Sequence, residues 1–199
     1  MMIFFAFLLV VIFQFTFEPG KVNLTDLAPG LLWVMIVFSG LLGFSRSFAK
    51  DLEHHGLSGM AIAPIDPGAI YLGKTGANVC FLLAMEGVML PLLGIFLNAP
   101  VFSNLLRIVP VVVLGTVGFA SVGTLFASIS VHTRLSEVIL PLLLLPIVVP
   151  LLIFAVKATG RVMVGRSLAD VATQLKFLAG IDLMFLALSF LLFEYTLTE

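Results

Sequence analysis

Apolar runs long enough to cross a membrane dominate the chain, and polar residues gather in the segments between them. Six such runs occupy residues 1–17, 28–45, 73–97, 105–129, 137–156 and 177–195. A helix of about 20 apolar residues crosses the roughly 30 Å core of a bilayer, and it satisfies its own backbone hydrogen bonds in lipid. The pattern therefore predicts an all-α integral membrane protein, with six transmembrane helices forming one permease-like domain over residues 1–199.

Composition and charge narrow the function classes. Of the 199 residues, 61% are hydrophobic and 11% are charged, whereas ordinary globular domains carry about a quarter charged residues. The net charge of −1 argues against nucleic acid as a partner. The single Cys80 lies inside an apolar run, which excludes a disulfide framework and a cysteine-based metal cluster. No catalytic constellation and no metal-ligand spacing occur in the sequence.

The link at residues 46–72 is the longer of two sizeable polar links. An even number of spans places it on the same face of the membrane as both termini. It opens with a charged half-helix that carries Phe48 on one side and Asp51 and Glu53 on the other. This patterning is typical of a surface that contacts a partner, so the link is more than a connector.

The second polar link, residues 157–176, contains an amphipathic stretch on the opposite face. Ser167 and Asp170 have the spacing of a helix capping box. Apolar residues then recur at helical spacing: Leu168, Val171, Ala172 and Leu175. We expect an interfacial helix here, before the last span, that lies at the membrane surface or dips back into it.

The first apolar run is short for a span. Its 17 residues would rise only about 25 Å as a helix. It has neither the basic start nor the small-residue cleavage site of a signal peptide. We interpret it as a transmembrane helix.

The basic residues do not fix the orientation. With the N-terminus inside, the cytoplasmic face would hold Arg46, Lys50, Lys74 and Arg134. The outer face would hold Lys21, Arg107, Lys157, Arg161, Arg166 and Lys176. The positive-inside rule mildly favours the reverse orientation, so charge leaves the question open.

Small residues predict close packing of two helices. The fourth span carries a small-residue row formed by Ala120, Gly123, Thr124, Ala127 and Ser128. Gly73 and Ala77 form a second small-residue pair at the start of the third span. Such rows let helix backbones approach closely in membranes.

Three prolines mark the fifth span: Pro141, Pro146 and Pro150. Each removes a backbone donor and so is expected to break or kink the helix. Two interpretations remain open, simple helix packing or a kinked helix that moves during a transport cycle.

Glu86 is the main acidic candidate within the membrane. It lies about 18 Å along the third span from Lys74, near the bilayer middle, where acids are functional candidates by default. It either holds helices together, against Asn78 or a serine or threonine elsewhere, or lies on a substrate path with the prolines of the fifth span. Asp182 and Arg107 are predicted nearer the ends of their spans, where snorkelling lowers the cost of a charge.

One motif and the histidines are discounted. Residues 68–75 (GAIYLGKT) match the P-loop pattern G-x-x-x-x-G-K-[ST]. A P-loop requires a preceding buried strand and a soluble α/β domain, whereas here a membrane span follows. His54 and His55 are adjacent and would point about 100° apart on a helix, so we interpret them, like His132, as solvated loop residues.

Several short motifs, in order along the chain, resemble one family. They are residues 28–34 (APGLLWV), 46–53 (RSFAKDLE), 63–66 (APID), 71–74 (YLGK), 140–150 (LPLLLLPIVVP) and 193–195 (FEY). Together they resemble CcmB, the haem exporter B subunit of the cytochrome c maturation ABC transporter. Relatives usually have a basic segment before the first span, and many have a G-x-L-E pattern near residues 55–58, where this chain has HGLS.

The resemblance implies a six-helix ABC-2-type permease of the bacterial inner membrane, with both termini cytoplasmic. Two copies would pair with two CcmA-like ATPase subunits, beside CcmC-like and CcmD-like membrane subunits. ATP hydrolysis by the partner would be coupled to haem export or to release of the haem chaperone CcmE. The chain itself would be no enzyme and would bind no cofactor directly, with haem as a transported or handled substrate.

The resemblance also gives the link at 46–72 a role as a cytoplasmic coupling element containing a coupling helix. The residues expected to contact the ATPase are Arg46, Phe48, Lys50, Asp51, Glu53, Leu57, Met60, Pro64 and Lys74. Two other functions share much of the sequence pattern. One is an ABC-2-type permease for a different substrate, such as a lipid or a drug, and the other is a non-transporting membrane scaffold.

Overall fold

Six α-helices make up nearly all of the described chain. The computed structural model describes residues 2–16, 24–53, 66–131, 133 and 136–197. The helices are α1 (Met2–Thr16), α2 (Leu24–Glu53), α3 (Pro67–Phe96), α4 (Val101–Ser130), α5 (Ser136–Met163) and α6 (Ala172–Leu197). A short 3-10 turn, Ala169–Val171, precedes α6. The predicted six-helix, all-α fold is confirmed.

Five of these helical segments are long and apolar enough to cross a membrane. They are Asp26–Phe48, Pro67–Phe96, Val101–Ser130, Val138–Met163 and Ala169–Thr196. The 15 residues of α1 rise about 22 Å, which is less than the bilayer core of about 30 Å. The chain is thus a multi-pass membrane protein whose first helix is the shortest.

Helix α4 lies at the centre of the bundle and packs against α2, α3, α5 and α6. Its predicted small-residue row is buried. Glycines on α4 leave room for large side chains of α2. A Cβ on Gly123 would lie 2.1 Å from the Phe44 ring, and one on Gly115 would lie 2.1 Å from the Trp33 ring. The close packing predicted for the fourth span is confirmed.

The second predicted small-residue pair has no packing neighbour among the described residues. Gly73 and Ala77 are exposed on α3, and a Cβ on Gly73 would meet no atom within 4 Å. The inward face of α3 is instead formed by Tyr71, Asn78 and Leu82. The prediction of close packing at Gly73 was wrong for the described part of the chain, because that face of α3 points out of the bundle.

Helices extend further into the link at 46–72 than the apolar runs indicated. Helix α2 continues to Glu53, and α3 starts at Pro67. The charged half-helix is therefore a direct extension of the second span, since no Gly or Pro falls between Phe44 and Glu53. Asp66 caps α3, and its Oδ1 accepts a hydrogen bond of 2.7 Å from the Gly68 backbone N–H.

The link before the last span also differs from its prediction. Ser167 and Asp170 do form a reciprocal capping box, with 3.0 Å from the Ser167 backbone N–H to Asp170 Oδ2 and 3.3 Å from the Asp170 N–H to Ser167 Oγ. The turn that follows leads directly into α6. The amphipathic stretch is thus the start of the last helix rather than a separate interfacial helix, because no Gly or Pro interrupts it before Gly180.

The prolines of the fifth span do not end the helix. Helix α5 runs from Ser136 to Met163 through Pro141, Pro146 and Pro150. Pro146 and Pro150 are exposed, and Pro141 is half-buried. The predicted break is absent, as is common for proline in membrane helices, where neighbouring groups re-satisfy the freed backbone, and the alternative of a kink stays a prediction.

Candidate functional site: the ends of the 46–72 link and the buried carboxyls

The two helices that flank the 46–72 link contact each other beside it. Phe48, near the end of α2, is almost fully buried. The Lys74 Nζ of α3 lies 5.5 Å from the centre of the Phe48 ring, which is within the range of a cation–π interaction. Two residues predicted for ATPase coupling are thus brought together, and they connect the end of α2 to the start of α3.

The start of α3 is also connected to α4 and α6. The hydroxyl of Tyr71, a buried residue, donates a hydrogen bond of 3.1 Å to the Ser121 carbonyl in α4. Its ring lies 5.5 Å from that of Phe193 in α6. Tyr71 therefore connects the start of α3 to the central helix and to the last one.

Gly68 allows α6 to approach the first turn of α3. A Cβ at this position would lie 2.3 Å from two atoms of the Phe190 ring. Any larger residue here would force that ring to shift, so glycine allows this contact. The glycine that opens the P-loop look-alike thus has a packing role.

The remaining predicted coupling residues are only partly described. Arg46 is exposed on α2, and Lys50, Asp51 and Glu53 lie in its last turns with side chains outside the described set. Leu57, Met60 and Pro64 lie outside the described residues, as do His54, His55 and His132. Their roles stay predictions.

The P-loop look-alike forms no phosphate-wrapping loop. Residues 68–75 are helical and belong to the first turns of α3. A P-loop needs free backbone N–H groups to bind phosphate, whereas here the first N–H groups of α3, those of residues 68–70, already donate to Asp66. Among the described residues, no group of three His, Cys, Asp or Glu side chains could hold a metal ion.

Glu86 is buried between α3 and α4, with 2% of its surface exposed. The Thr116 hydroxyl donates a hydrogen bond to its Oε1, while its Oε2 has no hydrogen-bond partner among the described residues. Asn78 instead donates to Thr124, at 2.9 Å. The expectation of a serine or threonine partner is confirmed, and the Asn78 alternative is wrong.

A cavity of about 380 Å³ opens beside Glu86 between α3 and α4. Apart from the carboxyl group its walls are almost wholly apolar, with Gly87 and Pro91 from α3 and Phe102 and Leu105 from α4. Its volume falls within the range of about 300–1,000 Å³ found for small-molecule sites. Glu86 is the acidic residue among those that line this cavity.

Asp182 is a second buried carboxyl, and its predicted position was wrong. Because α6 begins at Ala172, Asp182 lies about 15 Å along the helix and does not snorkel. It is 4% exposed, and neither oxygen has a partner among the described residues. Sequence reasoning underestimated the depth of Asp182 because it started the last span at residue 177. The absence of a helix breaker before Gly180 could have shown that the helix starts earlier.

The two carboxyls flank α4 at nearly the same depth. Glu86 contacts Thr116, whereas a Cβ on Gly118 would lie 2.1 Å from Asp182 Oδ1. Positions 116 and 118 are about 200° apart around a helix, so the acids lie on opposite sides of α4.

Arg107 lies near the membrane surface, as predicted. The exposed guanidinium donates to Asn104 Oδ1 at 3.3 Å and to the Gly165 carbonyl at 3.0 Å. Gly165 has φ +85, a left-handed conformation that favours glycine. This contact connects the start of α4 to the turn between α5 and α6.

Comparison with known proteins adds a family match to this geometry. A family model described as CcmB protein matches residues 1–197. The heme exporter protein B of Paracoccus denitrificans is 35% identical over 195 residues, covering 92% of this chain and 84% of the relative. That of Rhodobacter capsulatus is 32% identical over 185 residues, covering 92% and 83%, and that of Pseudomonas aeruginosa is 28% identical over 156 residues, covering 76% and 67%.

Proposed function

The chain belongs to the CcmB family, and from this membership we propose that it is the membrane subunit of an ABC transporter complex for cytochrome c biogenesis. The membership confirms the resemblance found in the sequence. The proposal adds that a partner ATPase supplies the energy and that this chain converts it into helix movement. As a permease subunit, the chain carries out no ATP hydrolysis itself.

The contact between Phe48 and Lys74 is the observation that carries the coupling proposal. The charged end of α2 and the residues that follow it bind the ATPase. Because the ends of α2 and α3 contact each other, a movement imposed on the link displaces both helices together. Tyr71 then passes the movement to α4 and α6 through its hydrogen bond and ring contact.

The proposed complex follows from family membership. It contains a CcmA-like ATPase, a second copy of this chain, and CcmC-like and CcmD-like membrane subunits. The complex resides in the bacterial inner membrane with both termini of this chain in the cytoplasm. Haem is the handled or exported substrate, and the haem chaperone CcmE is the indirect partner.

Deletion of the gene tests the proposal. We expect loss of haem covalently attached to c-type cytochromes, measured by haem staining of membrane proteins after denaturing electrophoresis. Absorption spectra of b-type cytochromes should stay unchanged, and a plasmid copy of the wild-type gene should restore the staining. Normal c-type staining in the deletion strain would contradict the proposal.

A further inference from the structure

A groove lies on the outward side of α6, close to the end of the bundle at which α4 and α6 begin. It has a volume of about 380 Å³ and is lined by Thr173, Lys176, Phe177, Gly180, Ile181 and Met184. Gly180 leaves the space open, since a Cβ there would meet no atom within 4 Å. Phe177 and Met184, which stand one turn before and one turn after it, are each about half exposed. The six lining residues are called the α6 groove below.

The side of the α6 groove nearest α5 is held in place by an aromatic contact. The ring of Phe177 stacks on that of Phe154 in α5, with 4.8 Å between the ring centres and 9° between the planes. Stacked aromatic pairs stabilise one arrangement of the two rings. The groove therefore has a fixed wall on this side.

The α6 groove changes from polar to apolar along its length. Measured from Ala172, the first residue of α6, Lys176 lies about 6 Å, Gly180 about 12 Å and Met184 about 18 Å along the helix axis. The polar members, Thr173 and Lys176, are thus close to the membrane surface, and the apolar members continue toward the middle of the bilayer. A phospholipid has the same order of parts, with a phosphate at the surface and acyl chains below it.

The charge at this end of the bundle favours an anionic head group. Within about 10 Å of this end, five described residues are basic and two are acidic: Arg107, Lys157, Arg161, Arg166 and Lys176 against Asp26 and Asp170. Arg107 and Arg161 already donate hydrogen bonds, to the carbonyls of Gly165 and Asp170. Lys176 is exposed and forms no hydrogen bond or ion pair with another described residue. Its ammonium group is therefore available to an anion.

We propose that the α6 groove binds one anionic phospholipid. The phosphate of the head group lies at Lys176, with the Thr173 hydroxyl as a second donor three residues earlier on the same helix face. One acyl chain follows the groove past Gly180 to Met184. A basic side chain near the membrane surface attracts anionic lipid, whereas the apolar lining accepts the chain of any phospholipid.

A second copy of this chain does not suit the α6 groove. In a twofold symmetric contact the same patch meets itself, so two Lys176 ammonium groups would face each other with no acid among the residues that line the groove. An anionic lipid instead compensates the charge. This inference rests on the geometry of α6 and does not depend on the proposed transport function.

Native mass spectrometry of the full-length chain in detergent tests the selectivity. The probes are dioleoyl phosphatidylglycerol, which is anionic, and dioleoyl phosphatidylcholine, which has the same chains and a zwitterionic head group. We expect the first phosphatidylglycerol to bind about fivefold more tightly than the first phosphatidylcholine, the preference that one lysine near the surface supplies. Inorganic phosphate in excess should not displace the lipid, because it lacks the acyl chain.

Two matched pairs of variants separate the head group from the chain. Lys176→Gln should abolish the preference for phosphatidylglycerol. Lys157→Gln makes the same change at an exposed lysine near the same membrane surface that does not line the groove, and it should preserve the preference. Gly180→Leu fills the groove and should weaken binding of both lipids, whereas Gly76→Leu, at an equally open glycine of α3, should not.

A phosphatidylglycerol with a photoactivatable diazirine in one acyl chain locates the binding site. After irradiation we expect the label to concentrate on the peptide that contains residues 177–184, and Gly180→Leu should remove it from there.

Several results would overturn the proposal. They are equal affinity for the two lipids, the same loss of preference in Lys157→Gln and Lys176→Gln, displacement by inorganic phosphate, and a label spread evenly over the exposed helices. Binding unchanged in Gly180→Leu would likewise exclude the groove as the site of the chain. Since the readouts are lipid binding and labelling, they are independent of the cytochrome assay.

Discussion

Lys74 of α3 places its Nζ 5.5 Å from the centre of the Phe48 ring of α2. The two residues are 26 positions apart in sequence and enclose residues 49–73, which include nearly all of the 46–72 link. Their contact connects the two helix ends beside the link, as the proposed coupling requires. It is also a contact that can be removed while the charged surface of α2 stays in place.

Phe48→Leu should uncouple the link from the bundle. The change keeps an apolar side chain but removes the ring, so the cation–π interaction of about 0.5–1 kcal/mol is lost. We expect ATPase co-purification to persist while haem staining of c-type cytochromes falls. Phe15→Leu, at a phenylalanine that is 85% exposed on α1, is the control. Full haem staining in Phe48→Leu would show that the contact transmits nothing.

Charge reversal at the end of α2 should weaken the binding of the ATPase, which Phe48→Leu leaves intact. The double variant Asp51→Lys and Glu53→Lys should weaken co-purification of the ATPase, because both acids lie in the last turn of the helix that enters the link. Membrane insertion, measured by the amount of full-length chain in washed membranes, should stay unchanged. Glu194→Lys, at an exposed acid of α6, is the control for a general effect of charge. Normal ATPase recovery with the double variant would rule out this docking surface.

The fold was predictable to the extent that hydrophobicity alone decides it. Six helices, and the buried row around Gly123, follow from apolar length and small-residue spacing. The charged half-helix was not recognised as a continuation of α2, and the start of α6 was placed at residue 177 instead of Ala172, because a helix can continue beyond the point where its residues cease to be apolar. The depth of Asp182 depended on such an end and was missed for that reason.

The candidate site was less predictable than the fold. The sequence indicated Phe48 and Lys74 separately, but their contact depends on how α2 and α3 are rotated in the bundle. Rotation also decides that Gly73 points outward while Tyr71 points inward. The spacing of apolar residues in the sequence shows the period of a helix. Where two faces of the helix are similarly apolar, the neighbouring helices decide which face is buried.

Tyr71→Phe should lower stability modestly while preserving the ring contact. The change removes the hydrogen bond to the Ser121 carbonyl, which is worth about 1 kcal/mol. The expected result is a lower midpoint of thermal unfolding for the purified protein in detergent. Tyr195→Phe alters the other of the two tyrosines, which is 70% exposed, and should have a smaller effect. Equal effects of the two variants would argue against a structural role for the Tyr71 hydroxyl.

Gly115→Ala should be strongly destabilising, because its Cβ would lie 2.1 Å from the Trp33 ring. Trp33 is held in place by the hydrogen bond of 3.0 Å from its Nε1 to Thr159 Oγ1. Overpacking of this kind typically costs about 1–3 kcal/mol. Gly180→Ala, at an open position, should leave the unfolding midpoint unchanged.

A smaller side chain opposite the glycine should relieve the strain. In the double variant Gly115→Ala with Trp33→Leu, the midpoint should be higher than the sum of the two single effects predicts. Strict additivity of the two changes would mean that the ring and the new methyl group do not meet.

The variant Asp182→Asn tests whether the carboxyl of Asp182 serves function or stability. Both oxygens of Asp182 are buried with no partner among the described residues, so the acid does not stabilise the fold through a hydrogen bond there. Asparagine has nearly the same shape and fits beside Gly118. We expect an unfolding midpoint at or above that of the wild type, together with reduced haem staining of c-type cytochromes, because buried membrane acids that cost stability are retained for function.

Thr159→Val, which removes a buried hydroxyl that accepts a hydrogen bond from Trp33, should lower the midpoint and serves as the structural comparison. A lower midpoint in Asp182→Asn would identify the carboxyl as a structural group.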